Sequence, residues 1–364
     1  MISLRRGIVT ALGAARPGAH ELEVDVGGEQ AAAIAYPDLC GPVTVGDVVI
    51  LNTTAVALGL GTGGVHIVVA VEGAEPGMDI PGRTMKARYT PVQTAVQSVE
   101  ETHRDLLQGS PGLEQTPVVC APLHSMIGPV AAGAKRAGDA TVVYVMTDGA
   151  ALPGAFSRLV FELRDAGVID GWITCGQAFG GELEAVTPWT AMLAAKEVLG
   201  ADVIVVADGP GNLGTETTWG VSALGSGNVL NAAAAVGGRP IPSLRISFAD
   251  PRARHHGVSH HSLTILRDVC LVAADVPVPA LDDDEQRGTV WDALRNISLE
   301  DRFQLVEVDG RPALAELAAR GLEPRSMGRG IEDDPAFFLA AGAAGVLAGR
   351  VAAGDRRWRD ASAP

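Results

Sequence analysis

The 364-residue chain carries 28 Lys and Arg against 43 Asp and Glu, a formal net charge of −15, with 45 Gly, 22 Pro and only 4% aromatic residues. That acidic balance repels phosphate backbones and anionic membrane surfaces at long range, which argues against nucleic acid as a partner. The length suffices for two or three domains with cores of Val, Ala, Leu and Ile, and the widely spaced Cys40, Cys120, Cys175 and Cys270 form no CxxC pair, so a reducing, cytoplasmic setting is expected.

In chain order, Gly7 to Leu12, His20 to Val26, Gln30 to Tyr36, Asp47 to Thr53 and His66 to Val71 read as five short strands. They predict a small β-barrel over residues 1–75, with Gly27-Gly28 at a tight hairpin. Gly59, Gly61, Gly63 and Gly64 read as a flexible connection between its last two strands. Residues 76–116 are expected to form a linker and a docking helix, capped by Thr90 and opening at Pro91, with Val92, Ala95, Val96 and Val99 on one face.

From 117 to 276 apolar β runs alternate with helical stretches, which predicts an α/β ligand-binding domain: a three-layer, Rossmann-like, doubly wound sheet of mostly parallel strands. The strands are Pro117 to Leu123, Thr141 to Met146, Gly171 to Cys175, Asp202 to Ala207, Leu244 to Phe248 and Val269 to Ala274. Residues 277–364 read as a mainly helical extension: Asp282 to Glu285 a solvated connector, Phe303 to Val308 a strand, and Asp334-Pro335 the start of the last helix. The apolar stretch Phe337 to Leu347 falls short of the roughly 20 residues of a spanning helix, so no membrane crossing is expected. Its Ala and Gly content suits close packing within the chain or against another subunit, leaving a homo-oligomer open.

In open α/β sheets ligands sit beyond the carboxyl ends of the strands. Five of the eight histidines, His124, His255, His256, His260 and His261, fall there, with Asp148, Asp208 and Asp250 at strand ends. His260 and His261 are candidate catalytic bases, with Asp148 or Asp250 as orienting partners, and His124 is a further catalytic candidate. His256, His260 and Asp250 are the candidate ligands of a divalent metal, although no defined zinc motif is present. Gly209, Gly211, Gly214, Thr215 and Thr217 could cradle an anion together with Arg252 and Arg254. Gly209 to Gly214 also matches GxGxxG, but it follows the fourth strand, opens no helix directly, and lacks an acid at the end of the next strand, which argues against NAD. Structural alternatives stand beside each: the threonines as turn closures, the histidines as hydrogen-bonded core.

The segments His124-Ser125-Met126, Thr147 to Pro153, Gly176 to Gly181 and Ser259-His260-His261 resemble a bacterial family known only as a domain of unknown function. The resemblance runs from the barrel to Met327-Gly328-Arg329 and Asp334 to Phe338, and implies one recurring architecture without an activity. The residues therefore carry the functional expectation: an enzyme acting on a small anionic metabolite, metal-assisted or not. The alternative is a metabolite sensor or scaffold whose barrel meets a partner protein.

Overall fold

The computed structural model describes residues 2–59, 64–74, 82–297 and 302–355, and divides into two compact units, one up to Val96 and one from Gln97. In the first, β1 (Leu4–Arg16), β2 (Ala19–Val26), β3 (Glu29–Ala35), β4 (Val48–Asn52) and β5 (His66–Val71) close a barrel in the order β1-β2-β3-β5-β4, with short helices α1 (Pro37–Cys40) and α2 (Thr54–Ala57) between strands. Alternation does the work: Leu22 and Val24 of β2, Val49 and Leu51 of β4 and Val68 of β5 point into one core while their neighbours face outward. Register shifts after Val9 and Leu12 bend the long β1 so that it pairs with both β2 and β4. Gly27 and Gly28 both take positive φ, as a two-residue hairpin between right-twisted strands requires. Of the glycine-rich connection, Gly61 and Gly63 lie outside the described residues, as do residues 76–81 of the expected linker.

No helix opens at Pro91. Thr84–Lys86 (β6) and Thr94–Val96 (β7) instead form an antiparallel hairpin, and Tyr89 takes positive φ in the turn. The β-branched Thr94 and Val96 pair across it, and this pairing outweighs the helical spacing of the apolar residues.

In the second unit, α3 (Val99–Thr102) and α4 (Arg104–Gly109) lead to β8 (Pro117–Cys120), α5 (Ile127–Gly138), β9 (Val142–Thr147), α6 (Arg158–Asp165), β10 (Gly171–Cys175), β11 (Leu183–Ala185), α7 (Pro188–Glu197), β12 (Val203–Asp208), α8 (Gly225–Ala235) and β13 (Arg239–Pro242). The six strands form one parallel sheet ordered β11-β10-β9-β12-β8-β13. Both faces are covered, so the central strands are largely apolar. Val142, Tyr144 and Met146 join a core with α5 and α6, while Val143 and Val145 join another with α7 and α8.

The fifth strand expected at Leu244 to Phe248 is not in this sheet. Its place is taken by β13, whose Pro240 and Pro242 lack an N–H and are tolerated because β13 is an edge. Ile246–Ser247 (β14) pairs only with Gly257–Val258 (β15). The helix α9 (His260–Thr264) widens into a π-helical turn over Ile265–Val269, where the start of a sixth strand was expected; the strand β16 (Ala274–Pro279) follows it and pairs in parallel with β17 (Phe303–Val308), outside the main sheet. The acidic run is no mere connector, because Asp283 caps α10 (Asp284–Arg295) by accepting from the Gln286 N–H.

The last two helices, α11 (Arg311–Ala319) and α12 (Pro335–Ala352), pack into the core of this unit. By length and composition α12 could cross a membrane, but 72% of that span is buried inside the unit, where it lies against α5. Its small residues serve the chain's own core.

Candidate functional site

Beyond the carboxyl ends of β8, β9 and β12 the chain turns back through polar loops. His124, just past β8, shares hydrogen bonds with the Asp208 carbonyl through Nδ1 (3.0 Å) and with Ser157 Oγ through Nε2 (2.7 Å). Ser157 also caps α6 and is buried, so this pair positions the imidazole and offers no exposed nucleophile. Asp208, at the end of β12, accepts from Thr147 Oγ1 (2.6 Å) and the Gly149 N–H (3.0 Å). Burial pushes its carboxyl above the usual range, against the pull of those two donors.

Burial likewise holds His124 low, to about 4 from an ordinary 6.5, despite its bond to the Asp208 carbonyl. With the folded value depressed, the unfolded chain takes up the proton first as pH falls. His124's contribution is therefore complete above about pH 6.5 and disappears between 6.5 and 4, worth at most about 3 kcal/mol at ~1.4 kcal/mol per unit. Urea unfolding of His124→Gln at pH 7.5 and pH 4.5 checks this: the stability lost on acidification should be smaller than in the parent chain by about 1–3 kcal/mol.

A cavity of about 550 Å³ opens beside this rim, lined by His124, Gly211, Gly214, Thr215, Arg245, Arg252, Arg254, His255, His261, Arg325 and Met327 among others. Ser125 Oγ meets Ser326 Oγ at 2.9 Å, which ties the segment around 326 to the end of β8. Asp250 is the hub of its charged wall. Arg252 holds it with two parallel bonds of 2.9 and 2.8 Å, Arg245 donates at 3.0 Å, and Arg329 approaches to 3.8 Å. The Arg252 guanidinium bonded to it keeps this carboxyl well below the usual range although burial opposes. Asp334 lies 3.4 Å from Arg329 and accepts from Ser247 Oγ. Arg254 reaches toward the exposed Glu216 at 3.5 Å. Four guanidiniums, those of Arg245, Arg252, Arg254 and Arg325, thus line the cavity, with Arg329 beside Asp250. Nε of Arg245 and of Arg254 is buried without a hydrogen-bond partner, and that of Arg329 has only its 3.4 Å ion pair with Asp334.

The histidines form a second cluster on the same wall. Ser259 caps α9 through the His261 N–H and shares a 2.8 Å hydrogen bond with His255 Nδ1. Its hydroxyl therefore joins the loop before the helix to the helix start. The rings of His260 and His261 stand 4.0 Å apart, and His255 lies 5.0 Å from His261. Ring nitrogens of His255, His260 and His261 all fall within 4.8 Å of one another. Burial, helped by the neighbouring arginines, lowers His255 to about 3; burial, helped by His260 and the arginines, lowers His261 to about 4. These are neutral imidazoles at neutral pH.

The sequence candidates are thus divided. His124, His261, Gly211, Gly214, Thr215, Arg252 and Arg254 meet at the cavity, with His260 adjoining through the histidine cluster. His256 stands apart from that cluster, its ring edge-on to Phe248 at 5.2 Å, and His255 occupies the third place. Asp148 accepts from the Gln177 N–H (2.7 Å), and Asp250 is committed to arginines. No described carboxylate hydrogen-bonds a cluster histidine; Ser259 has that role toward His255. Thr215 and Thr217 bond each other and Gly220, which closes the loop on itself, and Gly209 sits against Met146 and Ala151. The helix after this loop begins only with a 3-10 turn at Ser222.

Sequence reasoning missed Arg245, Arg325, Ser326 and Arg329. An arginine inside the apolar run Leu244-Arg245-Ile246 was the available signal for the first. The others lie about two hundred residues from the β8 rim they join.

A family model described as protein of unknown function (DUF3866) matches residues 32–345, most of the chain. No curated protein matches it significantly.

Proposed function

The chain belongs to the DUF3866 family of proteins of unknown function, and we propose from its own residues that it is an enzyme that binds a small anionic metabolite, bearing phosphate or carboxylate, at the carboxyl rim of its sheet. The observation that carries this is the excess of guanidinium over carboxylate on one metabolite-sized cavity in a chain of net charge −15. Guanidiniums with unpartnered buried N–H groups are costly unless an anion completes them.

The strand order supports a Rossmann-like, doubly wound reading of the sheet. Crossovers β8 to β9 and β9 to β10 step one way with α5 and α6 on one face, and those into β12 and β13 step back with α7 and α8 on the other. Chain segments therefore part on both sides of the end of β12, where such sheets take ligands. The neutral His260 and His261 suit either acid/base work or metal ligation, and the raised Asp208 and lowered His124 are the kind of perturbed groups that reactive sites hold. Four buried free cysteines support a reducing, cytoplasmic setting. The sensor reading draws on the barrel being a compact unit of its own; a ligand bound tightly and recovered unchanged would favour it.

Thermal unfolding of untagged protein in inorganic phosphate and in citrate tests the proposal. At least one anion should raise Tm in a saturable way. The double variant Arg254→Gln/Arg325→Gln should weaken that binding roughly 10- to 100-fold, since a charged hydrogen bond is worth about 1.5–3 kcal/mol, while leaving ligand-free unfolding unchanged. No shift with either anion, or an equal shift in the variant, sinks the reading.

A further inference from the structure

The trio His255, His260 and His261 is more than a set of bases. Outside a ligand site, three imidazoles gathered in a buried wall would each be expected to bond a partner. Here Nε2 of His260 and of His261 is buried without one, and His261 is only 7% exposed. His255 uses Nδ1 toward Ser259, which leaves its Nε2 for another task. We propose that these three histidines bind a divalent transition metal, with open coordination positions turned toward the arginine-lined cavity.

The donor set fits the chemistry. Imidazole nitrogen suits Zn²⁺, Co²⁺, Ni²⁺ or Fe²⁺, and not Ca²⁺ or Mg²⁺, which want oxygen. Three protein ligands with remaining positions free is the pattern of a reactive centre, whereas a structural zinc takes four. With bonds of about 2.0–2.1 Å, donors on one tetrahedral ion stand roughly 3.4 Å apart. The present limit of 4.8 Å thus needs the rings to close by up to about 1.4 Å. His255 with its proton on Nδ1 donates to Ser259 Oγ and presents Nε2 to the ion, the outer bond that holds a ligating imidazole in place.

The surrounding charge says what shares the ion. A dication near Arg245, Arg252 and Arg254 is repelled unless negative charge joins it, and Asp250 is already engaged by Arg245 and Arg252. The anion of the proposed function would supply that charge, one oxygen on the metal and the others on guanidiniums. This part rests on the anion reading; the metal site does not.

Co²⁺ titration of untagged, metal-stripped protein, followed by visible d–d absorption, is the test. One equivalent should bind and Zn²⁺ should displace it. His255→Ala and His261→Ala should each weaken binding about 100-fold or more. Should either fail to fold, as judged by circular dichroism, the more exposed His260→Gln should still lower affinity at least 10-fold. Absence of Co²⁺ binding, or binding indifferent to the histidine variants, overturns the site. Inorganic phosphate added to the Co²⁺ protein should shift the spectrum; phosphate that binds without shifting it overturns the shared ligand. Phosphate binding to the metal-free protein is measured separately, so its loss would count against the anion reading and leave the metal site standing.

Discussion

Asp250→Ala is expected to destabilise the α/β unit by about 3–5 kcal/mol, the range for a buried ion pair that loses one partner. The side chain of Asp250 is 1% exposed and holds Arg245 and Arg252, with Arg329 close by. Removing it leaves the buried Arg245 without its carboxylate partner and the other two pressed together by like charge. Asp250→Asn keeps the shape but not the charge and should lose most of the same amount. Urea unfolding at pH 7 reads both. The sign with pH also follows: a carboxyl held below its ordinary 3.8 contributes in full above about pH 4 and loses its contribution only as pH falls below that, so neutral conditions show the whole effect. A loss under about 1 kcal/mol would mean that water readily solvates the three arginines.

Gly345→Val should cost about 3 kcal/mol or more, and even Gly345→Ala should destabilise. In an exposed helix Gly→Ala gains up to about 1 kcal/mol. At Gly345 a Cβ would stand 1.9 Å from the carbonyl oxygen of Val130, and at Gly349 a Cβ would stand 2.5 Å from that of Ala134. Helices α5 and α12 meet backbone to backbone, so any side chain there must push one off the other. Gly288 in α10 has nothing within 4 Å of its Cβ position, and Gly288→Ala is the control with the opposite sign, a gain of about 1 kcal/mol. Thermal unfolding of the two alanine variants compares them directly; matching shifts would sink the close-packing account.

The barrel was legible because strands such as β2 and β4 alternate faces with a period of two and its hairpin needs Gly27-Gly28, both local properties. The buried parallel strands β8, β9, β10 and β12 were legible as apolar runs between helices. The polar loops after β8, β9 and β12 were legible as strand ends, but the histidine segment was expected after a fifth strand of the sheet and instead follows β14, which lies outside it. Local pattern failed where pairing decides the outcome. Thr94 to Val96 has helical spacing with its neighbours but pairs with β6, and β13 looks unlike a strand until its edge position excuses the prolines.

From sequence alone came an acidic chain with a small barrel, a parallel sheet and a histidine-rich segment. Only the tertiary structure decided that His255 and not His256 joins His260 and His261, that Asp250 serves arginines, and that Arg325 and Arg329 return from the far end of the chain to the same wall. The reason is physical: periodicity reports which face of its own element a residue occupies. Which faces then come within a few ångströms of one another is set by the packing of helices and strands far apart in the chain.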